Sequence, residues 1–202
     1  MKVDGSGRIQ ARFTGWAAHG ALALALALAA AWPGHAQAAN LPIAADSGWY
    51  TFDVDPLTSL SNGKEWIDLD GSALVFELTL LNPAYLTVVD AGFAGDVFEV
   101  FVNGASLGTT SPATNSYPVS VGLNFAAAMA DLAFSRGSYL LAPGSYAITG
   151  VLSLSALDDA GSAIDATVGG VRVRSVAEPG SLALLLAGIG FMGIAVRRRC
   201  NV

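Results

Sequence analysis

Residues 73–90 read Ala-Leu-Val-Phe-Glu-Leu-Thr-Leu-Leu-Asn-Pro-Ala-Tyr-Leu-Thr-Val-Val-Asp, and this stretch decides the fold class. Leu74, Phe76, Leu78 and Leu80 alternate with Ala73, Val75, Glu77 and Thr79. A period of two places one apolar and one mixed face on an extended chain, so the segment is a strand. Asn82-Pro83 is a turn signal, and Tyr85–Asp90 reads as the next strand, which predicts a hairpin. Working outward, Ala91–Gly95 reads as a Gly-containing loop and Asp96–Val102 as another strand. Asn103-Gly104 is a hairpin turn signal, because both residues tolerate positive φ, and Ala105–Thr110 is expected to pair back. In Phe125–Phe134 the alanines and Met129 favour a short helix. Tyr146–Ser155 is a strand with Tyr146, Ile148, Leu152 and Leu154 on one face. Asp158–Gly161 is a turn, and Ile164–Val173 supplies a last strand weakened at Gly169-Gly170. Short strands, frequent turns and little helix predict an all-β fold: an antiparallel β-sandwich, jelly-roll-like, with one short helix.

The two ends of the 202-residue chain have a different character. Lys2, Arg8 and Arg12 precede Ala21–Trp32, an uncharged apolar run of 12 residues. As a helix it covers about 18 Å, too little for a hydrocarbon core of about 30 Å, and it has the length of a signal-peptide apolar region. Pro33-Gly34 ends it. Ala36 and Ala38 stand at the spacing read by signal peptidase, which predicts cleavage after Ala38. Near the other end, Ser181–Val196 is a run of 16 residues without charge, followed by Arg197, Arg198 and Arg199. A helix of that length covers about 24 Å, and arginine stems can snorkel to the interface. The arginines stay on the cytoplasmic side, which puts the preceding domain outside. The expected organisation is a signal peptide over 1–38, a β-sandwich outer domain over 40–176, and a tail over 177–202 with a transmembrane helix at 181–196.

Val176-Ala177-Glu178-Pro179, the apolar run Ser181–Val196 and the cluster Arg197–Arg199 together resemble the PEP-CTERM sorting signal of Gram-negative bacteria. Ala177 stands where the usual first proline would be, while the pair Glu178-Pro179 is kept. The resemblance implies recognition of the tail by an exosortase-type membrane protease, cleavage near the motif, and a setting of exopolysaccharide, biofilm or floc formation. It also implies a membrane-anchored intermediate followed by a cell-surface or extracellular destination. Leu86–Asp90, Gly95–Gly104, Phe134–Tyr139 and Pro143–Ile148 are similar to a segment that recurs in the outer domains of such proteins. That second likeness supports the sandwich and implies no activity.

The predicted outer domain carries 14 acidic and 4 basic side chains, a net charge of −10. Such a surface repels phosphates, so nucleic acid is not an expected partner. The two histidines, His19 and His35, lie in the predicted signal peptide, and the one cysteine, Cys200, lies behind the arginines. Ser-His-Asp and Cys-His hydrolases lack their imidazole base in the mature domain, and the usual zinc sites lack their ligands. Carboxylates remain. Glu65, Glu77 and Glu99 with neighbouring aspartates are candidates for glycoside hydrolysis only if two of them face each other across a cleft, and the expectation is a non-enzyme. Calcium, which takes hard oxygen ligands at loops, is the candidate cofactor. Its candidate ligands are Asp90, Asp96 and Glu99 around the Gly-containing loop, ahead of the pairs Asp53/Asp55, Asp68/Asp70 and Asp158/Asp159. Turn aspartates also bind their own backbone, and that reading stays open for each cluster. Trp49 and Trp66 are candidates for stacking on an exopolysaccharide, against the alternative of core packing. The leading expectation is a structural cell-surface or matrix protein. A calcium- or glycan-binding module comes next, then a carboxylate-dependent glycan enzyme.

Overall fold

The computed structural model describes residues 38–176 and Gly180. The expected signal helix, the transmembrane helix 181–196, Ala36, Glu178, Pro179 and Arg197–Arg199 lie outside the described residues. Ala38 is exposed and directly precedes the first strand. Among the described residues no helix is long and apolar enough to cross a membrane.

Twelve strands and one short helix make up the described chain. One five-stranded sheet has the order β1 (Ala39–Ile43), β3 (Leu74–Leu80), β9 (Gly144–Leu154), β5 (Val97–Val102), β6 (Ala105–Thr109). The second has the order β2 (Trp49–Val54), β12 (Thr167–Ser175), β4 (Ala84–Phe93), with β8 (Arg136–Leu141) and β7 (Ser120–Gly122) both pairing to β4. A small ladder joins β10 (Ala156–Leu157) to β11 (Ala163–Ile164). The antiparallel pairings nest: β2 with β12, β3 with β9, β4 with β8, β5 with β6.

Alternation in the sequence becomes alternation in burial. Leu74, Phe76, Leu78 and Leu80 are buried, and Glu77 and Thr79 between them are exposed. They meet Leu86, Val88, Val171 and Val173 of the other sheet in one apolar cluster, so the two sheets share a core. A second cluster covers the outer face of β4, where Phe125 and Ala128 of the helix α1 (Phe125–Ala130) pack on Val89, Ala91 and Phe134. Asn124 caps that helix, its side chain accepting the Ala127 N–H, which satisfies a donor the first turn leaves free. The Asn103-Gly104 turn is as expected, with φ of 50° and 78° at the two residues.

Several expectations are corrected. Residues 73–90 are not a hairpin. β3 and β4 lie in different sheets and the chain crosses between them at Leu81–Pro83. The turn signal was real, but a turn does not choose the neighbour, and β9 and β12 offer the longer ladders. The fold is not purely antiparallel, because β1 runs parallel to β3; the chain between them passes through the other sheet, the long crossover a parallel pair requires. Residues 91–93 continue β4 instead of starting a loop, with a register irregularity at Gly92/Phe93. Leu154 is 58% exposed, because a register shift at Val97/Phe98 ends the inward alternation of β9.

Glycine explains how large aromatic rings fit between the sheets. Trp66 is stacked on Phe52 with ring centroids 4.0 Å apart. A Cβ at Gly150 would overlap the indole of Trp66, and one at Gly169 would overlap the ring of Phe52. Gly169 is the cross-strand partner of Phe52, and Gly170 makes the same room for Phe125 on the opposite face. The Gly169-Gly170 pair therefore serves packing and does not weaken the strand. Gly150→Ala is expected to overpack the core and to cost about 1–3 kcal/mol. For a domain of this size that is a fall in Tm of roughly 4–12 °C, to be read by calorimetry; an unchanged Tm would show that the indole has room to move.

Candidate functional site

Polar chemistry concentrates where β2, β4 and β12 meet the loop that follows β2. There Asp53, Asp68, Leu69, Phe93, Thr167 and Val168 help to line a cleft of about 390 Å³. The loop is held by its own side chains and backbone. Asp55 accepts the Leu57 N–H through Oδ1 and the Ser59 N–H through its carbonyl. Glu65 accepts hydrogen bonds from the hydroxyls of Ser59 and Ser61. Residues 53 and 67 bridge through a pair of backbone hydrogen bonds, which brings Asp68 toward Asp53. Burial, and then the negative charge of Asp68, raise the Asp53 carboxyl above its ordinary range.

Behind the cleft floor lie two buried carboxyl groups. Asp90 is fully buried on the core-facing side of β4, and Asp96 is buried at the entry to β5. Asp96 is well held: the Ala156 N–H donates to its Oδ1 at 2.7 Å and the Thr167 hydroxyl to its Oδ2 at 2.6 Å. Thr167 thus connects the cleft to the buried pair. Burial pushes the Asp96 carboxyl up to about 6, against the lowering effect of these two hydrogen bonds. Asp90 differs in that no side chain donates to its carboxyl; the backbone N–H groups of Gly95, Asp96 and Ala91 lie toward it without reaching good hydrogen-bond geometry. Burial, and then the Asp96 charge, push it up to about 9.

The third candidate calcium ligand does not join them. Glu99 sits in β5 where Phe98 and Val100 face the core, and it accepts the Ser106 hydroxyl at 2.7 Å. Glu77 likewise is exposed and accepts from the Asn40 side chain. Among the described residues no three His, Cys, Asp or Glu side chains come together as a metal-holding group. The other aspartate clusters serve their own turns. Asp70 Oδ1 accepts from the Ser72 N–H and hydroxyl, and Asp158 Oδ1 accepts the N–H groups of Ala160 and Ser162.

The two candidate glycan contacts are also placed. Trp66 is 1% exposed and belongs to the core, so it has no face to offer a sugar. Trp49 is half-buried, with the Arg172 guanidinium 4.3 Å over its ring and Phe125 at 5.5 Å. A cation already occupies that indole face. The cleft was missed in the sequence because Asp53 and Asp68 are 15 positions apart and meet only through a backbone bridge. The available signal was the pair of Asp-x-Asp segments at 53–55 and 68–70.

These features define a class of protein: an all-β domain with an acidic cleft at one end, leading directly into a C-terminal sorting tail. Residues 175–199 match the PEP-CTERM protein-sorting motif, so the chain carries the signal of an exosortase substrate and is sorted for export. No curated protein matches the chain. Among solved structures, the pre-peptidase C-terminal domain of collagenase from Bacillus anthracis is similar, with 7% identity over 70% of this chain and 100% of that one, and a TM-score of 0.38. A likeness of that size carries no argument about function.

Trp66→Ala separates a core residue from a ligand contact. Truncating a fully buried tryptophan is expected to cost about 3–5 kcal/mol. That is a large part of the roughly 5–15 kcal/mol that holds a domain together. Denaturant unfolding should show the loss; a variant as stable as the wild type would return Trp66 to the surface.

Proposed function

We propose that this protein is a non-enzymatic component of the cell surface or extracellular matrix, associated with exopolysaccharide, whose outer domain is a jelly roll. The single observation that carries the reading is the sorting motif at 175–199, which begins at the last residue of β12. The nested pairing of eight strands in two sheets supports the jelly-roll assignment. The non-enzymatic reading rests on chemistry. Residues 38–176 contain no histidine and no cysteine, so the proton transfers and nucleophiles that most hydrolases use have no imidazole or thiol to perform them. In this reading signal peptidase acts after Ala38, leaving β1 intact from Ala39. The chain is then held in the membrane by helix 181–196 until an exosortase-type protease cuts near Glu178-Pro179. Fractionation with intact-mass analysis tests the pathway. The expected product is an extracellular species starting at Ala39 and ending within the motif. Replacement of Arg197–Arg199 by alanine should leave the unprocessed chain in the cells. Full-length protein in the cytosol would reject the reading.

A second reading, that the outer domain binds a glycan, is favoured by the cleft. Its carboxylates accept hydrogen bonds from sugar hydroxyls, and Phe93 and Leu69 offer apolar surface to the sugar ring. Few precisely placed polar groups among apolar ones is the usual composition of a ligand site. Retention on neutral polysaccharide should fall at least tenfold in Phe93→Ala and Asp68→Asn, and stay unchanged in Glu77→Gln on the other sheet. Equal retention by all three variants would remove the cleft from consideration.

A further inference from the structure

We propose that Arg172 and Arg174 form an anion site on the outer face of β12, which takes the carboxylate of an acidic sugar in a polysaccharide. The site is separate from the acidic cleft. It deepens the exopolysaccharide reading by naming a ligand, and the two can fail independently, because a chain that binds no acidic sugar can still be sorted to the cell surface.

Basic side chains are scarce in this domain, and two of them stand together without an acidic partner. Residues 40–176 hold four, Lys64, Arg136, Arg172 and Arg174. Lys64 is committed to Asp165 at 2.7 Å, and Arg136 donates to the carbonyl oxygens of Met129 and Asp131. Arg172 and Arg174 are two positions apart on β12, on the face opposite the buried Val171 and Val173. That spacing sets them about 7 Å apart along the strand. Among the described residues no carboxylate comes within ion-pair distance of either guanidinium, and the Arg172 Nε is buried with no hydrogen-bond partner. Buried polar groups are almost always paired, and an unpaired one on a charged side chain is a costly exception. Burial, and then the neighbouring Arg174 charge, pull the Arg172 guanidinium below its ordinary range. An anion beside the two side chains offsets their repulsion and supplies an acceptor that the fold leaves out.

The second observation is independent. The two arginines line a hollow of about 350 Å³ together with Asp46, Gly48, Trp49 and Val173. The Arg172 guanidinium lies 4.3 Å from the centre of the Trp49 ring, and that stack fixes the plane of its donors. A planar fork held in one orientation matches a carboxylate with two parallel hydrogen bonds. Asp46 adds the opposite chemistry. Its Oδ1 accepts the Ser175 N–H at 3.2 Å, which holds the carboxylate in place and leaves it acceptor capacity. Donors for an anion and an acceptor for a hydroxyl in one hollow describe a ligand that carries both groups, as an acidic sugar does. Inorganic phosphate offers only charge, which Asp46 opposes, and a bilayer presents its phosphates in a plane, whereas these donors line a hollow. Tyr85 is the cross-strand neighbour of Arg174 and is 46% exposed, so an amphipathic ring stands beside the charges. The rest of the domain is acidic and repels an anionic polymer. Screening over about 8 Å at physiological salt lets the local pair of arginines act on its own.

The test uses the full chain in mild detergent, with Arg197–Arg199 replaced by alanine so that the tail offers no basic cluster of its own. The probe is polygalacturonate in about 0.15 M salt, with dextran as the neutral polymer, read by titration calorimetry. The expected result is binding of polygalacturonate and none of dextran. Arg174→Gln, at an exposed position, should keep the parent Tm and weaken binding about tenfold, the loss expected of one charge-assisted contact. Arg172→Gln should weaken it at least as much; if loss of the stack on Trp49 unfolds that variant, Arg174→Gln decides alone. Lys64→Gln removes the same charge elsewhere on the domain and should bind unchanged. An equal loss in Lys64→Gln would show attraction to overall charge only and overturn the proposal. Absence of polygalacturonate binding, equal binding of dextran, or undiminished binding by Arg174→Gln would do the same. Stronger competition by phosphatidylglycerol in the micelles than by free galacturonate would give the site to a lipid headgroup and also overturn it.

Discussion

The stack of Trp66 on Phe52, seated over glycines, is the contact on which the two sheets depend. Their rings are 4.0 Å apart and near parallel, with Phe98 edge-on to both and Phe76 edge-on to Trp66. Residues from both sheets and from the intervening loop meet there. An aromatic of this size buries more apolar surface than any aliphatic neighbour, but it fits only where the facing strands leave volume. Gly150 in β9 and Gly169 in β12 leave it. The strand glycines therefore set where the rings lie, and the rings set where residues 64–67 run. That segment pairs with β9 at Val151 and with β2 at Asp53, and so the walls of the acidic cleft inherit their positions from the core.

The acidic composition divides into groups with opposite effects on the fold. Aspartates at turns, such as Asp70 and Asp158, accept backbone N–H groups. Asp90 is the reverse case. Its proton is held up to about 9 in the folded chain but only to about 4 when unfolded. The folded state therefore binds more protons across that interval, and stability falls as pH rises through it. Turn aspartates whose pKa is lowered, as at Asp70, push stability the other way at the acid end. A chain that carries both kinds does not have its stability set by its net charge.

How much of this was legible depends on the range of the interaction. Period-two alternation in β3 and positive φ at Asn103-Gly104 are local, and both were readable from residues a few positions apart. The pairing of β3 with β9 joins residues about 70 positions apart, and nothing in a turn at Asn82-Pro83 reports it. Gly169-Gly170 looked like a weakness because the residues they accommodate, Phe52 and Phe125, are distant in sequence. For Trp66 the sequence left glycan stacking and core packing both open for the same reason, and the core holds it. Of the candidate site, Asp90 and Asp96 were identifiable from their loop, while the separation of Glu99 followed from strand parity: it is an odd step from the buried Phe98 and Val100.

The attachment of the tail follows from the topology. β12 is interior to its sheet, paired along one edge with β2 and along the other with β4. It ends at Ser175, where the sorting motif begins, and the Val176 N–H still bonds to the Pro83 carbonyl at 2.9 Å. A tail leaving from an edge strand would put any pull on one ladder, and losing it would expose a free edge. A tail leaving from β12 distributes the pull over two ladders. Among the described residues every strand pair lies within residues 39–175, so the ladders that carry the core and the cleft are complete before the sorting tail is reached.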